Sequence, residues 1–138
     1  MVSVDAATET GAAVLGVAEP ALASRTARSP SDAAGDWLCG WCHSRIANER
    51  DRFTIESKDE FAFSNPDGIR FEIITFSEAP GCHQTGIPTL EHTWFPGHAW
   101  SFCHCDECGQ HLGWYYTGKH DFVGLIKARI VRALHVRN

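Results

Sequence analysis

The sequence predicts a mainly β domain of antiparallel strands pinned by a metal site. Three observations carry that expectation. Short β-branched and aromatic segments alternate with Gly- and Pro-containing turns from residue 52 to residue 126, as in antiparallel sheet proteins. Two Cys-x-x-Cys pairs, Cys39/Cys42 and Cys105/Cys108, stand 62 residues apart. Residues 1–35 contain no aromatic residue and are rich in Ala, Ser and Thr, so they have little to bury against a core. The expected division is a disordered or flexible tail over 1–35 and one folded domain over 36–138.

Length and charge limit the functions available. A chain of 138 residues fits one domain. Its net charge of -5 argues against a phosphate-backbone binder, which needs a basic face. Lys127, Arg129, Arg132 and Arg137 form a small basic end, read as a solvated face. No apolar run approaches the ~20 residues a membrane span requires. Neither nucleic acid nor membrane is expected as a partner. A secretory leader is a rival reading of the tail, because residues 11–18 are apolar and Ala21-Leu22-Ala23 looks like a cleavage site. The residues before that run include Asp5 and Glu9 and no Lys or Arg. That is the wrong charge for a leader, which favours a cytoplasmic over a secreted chain.

Taken in order, residues 37–42 read as a tight knuckle with Gly40 inside it. Residues 52–56 alternate and predict a strand, and residues 61–64 predict a second. Asn65-Pro66-Asp67-Gly68 is a turn with its expected residues, and residues 69–76 predict a longer strand. Pro80, Gly81, Gly86 and Pro88 make residues 78–90 a loop. Residues 94–100 read as a strand end, a Pro96-Gly97 turn and a returning strand. Residues 105–109 form the second knuckle, and residues 112–117 and 122–126 predict two more strands. Basic residues between apolar ones over 125–134 predict a short helix after the last of these.

The Cys-x-x-Cys pairs point to zinc. Each pair offers two thiolates to one tetrahedral ion, and Gly40 and Gly109 ease the knuckle backbone. Zinc favours sulfur and needs no redox change. Four thiolates leave no position for a catalytic water, so the expected role is structural. The bland alternatives are disulfides or buried free thiols. Cys103 could replace one ligand, but Cys105 repeats the two-residue spacing. Cys82 and Cys103 are then expected as small buried residues. His43 and His111 are expected at the surface or beside the ligands.

Five Trp in a chain this short pose a second question. Core packing is the commonest role of any one indole. Trp94 and Trp100, however, flank a Pro-Gly tip, expected to project from a sheet. Trp114 and Tyr116 are two apart on a strand and share one face. Three aromatic walls near such a tip form a box for a cation or for a flat neutral ring. Trp37 and Trp41, at the first knuckle, are expected to be packing residues.

These residues carry a resemblance. The segment from Glu91 to Trp100 (EHTWFPGHAW), Cys105-x2-Cys108, His111-Leu112-Gly113-Trp114-Tyr115-Tyr116 and Phe122-x-Gly124-Leu125 resemble the thalidomide-binding (CULT) domain of the cereblon family. Asn65-Pro66-x-Gly68 and Cys39-x2-Cys42 match as well, and the likeness covers about residues 36–128. It implies two antiparallel sheets meeting at an angle, a β-tent, with zinc at their junction. It also implies a cage for glutarimide and thalidomide-type compounds, uracil-like rings and C-terminal cyclic imides of damaged proteins. By position, Trp94, Trp100 and Trp114 would be the walls and Tyr116 the base. Backbone groups of His92 and Trp94 would meet the imide, Asn65-Pro66 would close over it, and Glu91 would stand at the rim. An imide presents one donor between two acceptors, a pattern that an extended backbone can satisfy without charge. The sequence departs from the family in having His98 where the family has Tyr and Asp67 where it has His. The family's ligase-joining regions have no counterpart here, so a ubiquitin-ligase adaptor role is not expected.

Two other functions compete. The fold and knuckles also suit a B-type methionine sulfoxide reductase, whose reactive thiol would have to be Cys82 or Cys103, though no reductase motif surrounds either. An aromatic box could instead read methylated ammonium groups with Glu91 completing it. No nucleophile elbow, phosphate loop or acid–base pair supports another enzyme class, and a non-enzymatic binding domain is the expectation.

Overall fold

The computed structural model describes residues 30–136. Most of the expected tail therefore lies outside the described residues. Its last part, Pro30–Ala34, forms a short helix, α1. Pro30 supplies the fixed φ suited to a first helical position, and two alanines follow.

The rest is two antiparallel sheets, as expected. The smaller has three strands in the order β2 (Arg45–Asn48), β1 (Asp36–Cys39) and β9 (Ile130–Arg132). The larger has six, in the order β3 (Glu60–Ser64), β4 (Arg70–Phe76), β8 (Phe122–Ile126), β7 (His111–Thr117), β6 (Ala99–Cys105) and β5 (Cys82–Thr89).

Both faces of the larger sheet's central strands are covered, and side-chain alternation, broken once at the register shift beside β7, divides its core in two. Ile74, Phe76, Leu112, Val123 and Leu125 pack with Trp37, Cys39, Ile46 and Ile130 of the smaller sheet. Ile73, Trp114, Tyr116, Phe122 and Ile126 pack on the other side with Phe95, and Phe53, Phe61, Phe63, Phe71, Trp94 and Trp100 pack against them. Central strand β8 is consequently buried at every position.

Several local expectations differ from the structure. Residues 52–56 make only isolated bridges, Arg52 to Phe76 and Ile55 to Lys58. Glu56 and Ser57 have positive φ (51° and 70°) and turn the chain away. Residues 82–89, expected inside a loop, are edge strand β5. An edge tolerates Pro88 because one side needs no ladder bonds. Gly86 has φ 86°, and the register with β6 shifts between Thr85 and Thr89. The knuckle at residue 39 proved to be the end of a strand pair, β1 and β2. The helix expected over 125–134 does not form. Lys127–Arg129 and Ala133–His135 are single 3-10 turns around β9. Ile130 and Val131 pair with Cys39 and Leu38 instead, where β-branched residues pack well. Finally, Trp94 and Phe95 are not in a strand. Phe95 turns inward, 6% exposed, while Pro96 and Gly97 remain exposed at the tip.

A candidate metal centre and an aromatic pocket

Cys39, at the end of β1, and Cys42 face Cys105, at the end of β6, and Cys108. All four Sγ atoms lie within 4.8 Å of one another. Cys39–Cys108 and Cys42–Cys105 are each 3.6 Å apart. A disulfide needs about 2.0 Å. A tetrahedron of sulfurs ~2.3 Å from one ion has edges of about 3.8 Å. The donor set therefore fits a single thiophilic ion. The same spacing excludes Cys103 from the set. Cys103 is fully buried, in hydrogen-bond contact with Cys82.

The two knuckles share one backbone device. His43 N–H donates to Cys39 O, and Gly109 N–H donates to Cys105 O, both at 2.9 Å. His43 (φ 62°) and Gly109 (φ 79°) are both left-handed. The left-handed position of the first knuckle is thus His43, not Gly40. Gly40 is small for another reason: a Cβ there would meet Arg129 O at 3.0 Å. Burial raises the Cys105 thiol, but hydrogen bonds from Ser44 and the Cys108 and Glu107 backbone outweigh it and bring its pKa down to about 6. Burial raises Cys39. Four thiols this close cannot all ionise without a cation among them. Trp37 packs in the core, as expected, but Trp41 is 53% exposed and donates its backbone N–H to Cys39 Sγ.

The other face of the larger sheet carries a pocket of about 300 Å³. Trp94, Trp100, Trp114 and Tyr116 line it with Asn65, Pro66 and His92. Trp100 and Phe102 stand opposite Tyr116 and Trp114 across β6 and β7. Trp94 and Trp114 meet edge to face, centroids 5.0 Å apart at 78°. Two of the indoles are tethered by their N–H groups: Trp94 to Ser64 O (3.2 Å) and Trp100 to Glu91 O (2.7 Å). Their polar edges are thereby spent on backbone carbonyls, and Trp94 stacks on Phe63 with centroids 5.1 Å apart.

Asn65 is committed in the same way. Its Oδ1 accepts the N–H groups of Asp67 (3.0 Å) and Ile69 (2.9 Å), so its side chain shapes the turn that presents Pro66. His92 has φ 59°, the left-handed strain common at binding loops. Glu91 does not line the pocket. Its carboxylate lies 3.7 Å from His92 Nε2, 75% exposed.

Three lining residues were missed by sequence reasoning: Phe71, Phe102 and His111. Phe102 was readable, two residues from Trp100 on one strand. Phe71 lies on β4, with β8 between it and β7, and nothing local announces it. His111 was expected beside the knuckle. Its Nε2 instead bonds Gly113 O (2.9 Å), and Arg129 Nη1 approaches its Nδ1 at 3.3 Å. Burial, then the Arg129 charge, lowers its pKa below the usual imidazole value. Burial likewise raises the Tyr116 hydroxyl. Among the described residues, no Asp, Glu, Lys or Arg side chain lines this pocket.

The chain matches no family model. It is similar to curated cereblons: 43% identical to that of Gallus gallus over 56 residues, 41% of this chain. Identity to the Danio rerio protein is 38% over 81 residues, 57% of this chain, and to the Drosophila melanogaster protein 32% over 89 residues, 61% of this chain. This is consistent with a cereblon-family, CULT-like domain. The matches span only 13%, 19% and 15% of those cereblons' own lengths. The cereblon likeness and the aromatic cluster together fit a ligand-binding domain.

Proposed function

We propose that this domain binds a small, flat, neutral ring in the pocket, with Trp94, Trp100 and Trp114 as a cage and Tyr116 as its base. Cyclic imides such as glutarimide and thalidomide-type compounds, and uracil-like rings, have that chemistry. Polypeptides ending in a cyclic imide would be a second ligand class. The observation that carries the reading is an aromatic lining with no formal charge. A pocket of about 300 Å³ lies at the small end of ligand sites, which suits one ring. Main-chain groups at His92 and Trp94 would meet the polar edge of the ligand, and the Asn65-Pro66 turn would cover it.

The rival readings find less support. A methylammonium reader gains from a carboxylate at the cage, and Glu91 is not among the lining residues. A sulfoxide reductase needs an accessible, activated thiol. Cys82 and Cys103 are buried, and their mutual hydrogen bond followed by burial pushes Cys82 up. We therefore propose a binding role and no catalysis. The ion proposed for the four thiols is zinc, closed to substrate and structural.

Tryptophan fluorescence of the zinc-loaded protein should change on adding glutarimide, and less or not at all with trimethyl-lysine. Uridine and a peptide ending in a cyclic imide rank the ligand classes. No response to any ring at millimolar concentration from folded protein would defeat the proposal. Trp100→Ala is the better test variant, because Trp100 is half-buried. Trp114 is only 9% exposed, so its removal also costs about 3–5 kcal/mol of stability.

A further inference from the structure

Beside the second knuckle, on the β5–β6 edge, His83 and His104 stand directly opposite each other. Their rings are stacked, with centroids 5.9 Å apart at 25°. Each ring has its Nδ1 engaged with a pure acceptor. His83 Nδ1 lies 2.8 Å from Asp106 Oδ1, and His104 Nδ1 lies 3.1 Å from Gly109 O. An acceptor at Nδ1 places the proton there in the neutral ring and leaves Nε2 as a lone pair. Both histidines thus present the unprotonated nitrogen, each oriented by an oxygen behind it. Metal-ligating histidines are supported in this way, by a carboxylate or a backbone carbonyl on the far nitrogen.

We propose that His83 and His104 form a second metal site, separate from the four thiols, for a divalent ion that favours imidazole, such as zinc. Opposed residues of an antiparallel pair have Cβ atoms about 4.5–5.5 Å apart, within reach of one ion between an exposed imidazole, His83, and a half-buried one, His104. Asp106 is a positioning residue, fixing the tautomer of His83. His111, though its ring lies 5.6 Å from that of His104, is not a ligand, because both its nitrogens are engaged.

The test is a count of bound zinc on the untagged full chain, by equilibrium dialysis with elemental analysis, for wild type, His83→Ala and His104→Ala. The expected result is one ion fewer in each variant than in wild type. Both residues are outside the core, and unchanged circular dichroism confirms that the variants fold. Equal counts in all three proteins would overturn the site. Loss in only one variant would overturn the two-histidine arrangement. A thiolate centre that took no zinc would lower all three counts by one and leave the difference intact. Asp106→Asn should keep the count but weaken the second ion by ~10–100-fold; unchanged affinity would overturn the positioning role.

Discussion

The two faces of the six-stranded sheet solve packing in different ways. Toward the smaller sheet, mostly aliphatic side chains with Phe76 and Trp37 among them fill the space, and backbones approach closely. Gly81 is the extreme case. Its N–H donates to Ile46 O and its carbonyl accepts from Asp106 N–H, so one residue ties β2 to the second knuckle. Toward the pocket, rings meet edge to face, as Trp94, Phe71 and His111 meet Trp114. Such contacts suit ring quadrupoles but do not tile, and a pocket remains. Strand β7 serves both, sending Leu112 one way and Trp114 and Tyr116 the other. A filled face and an unfilled face can therefore be built on the same strands by residue choice alone.

If the filled face depends on the thiol centre, metal removal is the strongest perturbation. Structural zinc contributes on the order of 10 kcal/mol in small domains, comparable to a typical domain's whole stability. Chelation should unfold the β domain, seen as loss of its circular dichroism. A fold that survived complete removal would show that the aliphatic face needs no ion. Gly81→Ala comes next. A Cβ there would sit 1.9 Å from Arg45 O, so both hydrogen bonds of Gly81 must give. We expect a loss of about 3 kcal/mol in chemical denaturation. Retained ring binding by this variant would show that the two faces are energetically separate.

On the pocket face, His111 predicts a pH effect. Its folded pKa is lowered, so the unfolded chain takes up the proton first, near pH ~6.5. Stability linked to His111 is complete above that pH and is lost as pH falls through the lowered folded value. The stability of wild type relative to His111→Asn should therefore decline from pH 7 to pH 5. A constant difference would mean that the imidazole is not held neutral. The smallest effect belongs to His43→Gly. It relieves a left-handed φ of 62° and should stabilise the first knuckle by up to about 1 kcal/mol, less the added freedom of the unfolded chain. A loss would show that the exposed imidazole contributes contacts worth more than the strain.

Most of the thiol centre was legible, because Cys-x-x-Cys is a local pattern and the ligand geometry follows from it. Trp114 and Tyr116 were legible as a pair because strand alternation is local too. What escaped was set across strands. His111 opens β7 three residues before Trp114, an odd separation that alternation would place on the opposite face. The register shift between Cys103 and His104 accompanies its departure from that rule. β5 was hidden by Gly86 and Pro88, which break a central strand but not an edge. The helical spacing of residues 125–134 misled because Ile130 found a strand partner in Cys39, and tertiary pairing overrode a weak local preference.

The order of strands has a consequence for how the chain is made. β3–β4 and β5–β6–β7 are the two halves of the large sheet, and β8 alone joins them. It is also the last of the six to leave the ribosome. Until residues 122–126 emerge, β4 and β7 each expose an unpaired inner edge, the kind of surface that recruits other chains. The domain should therefore close after synthesis of β8, in a late step between distant segments. A chain stopped before residue 122 should aggregate even with both Cys-x-x-Cys pairs present.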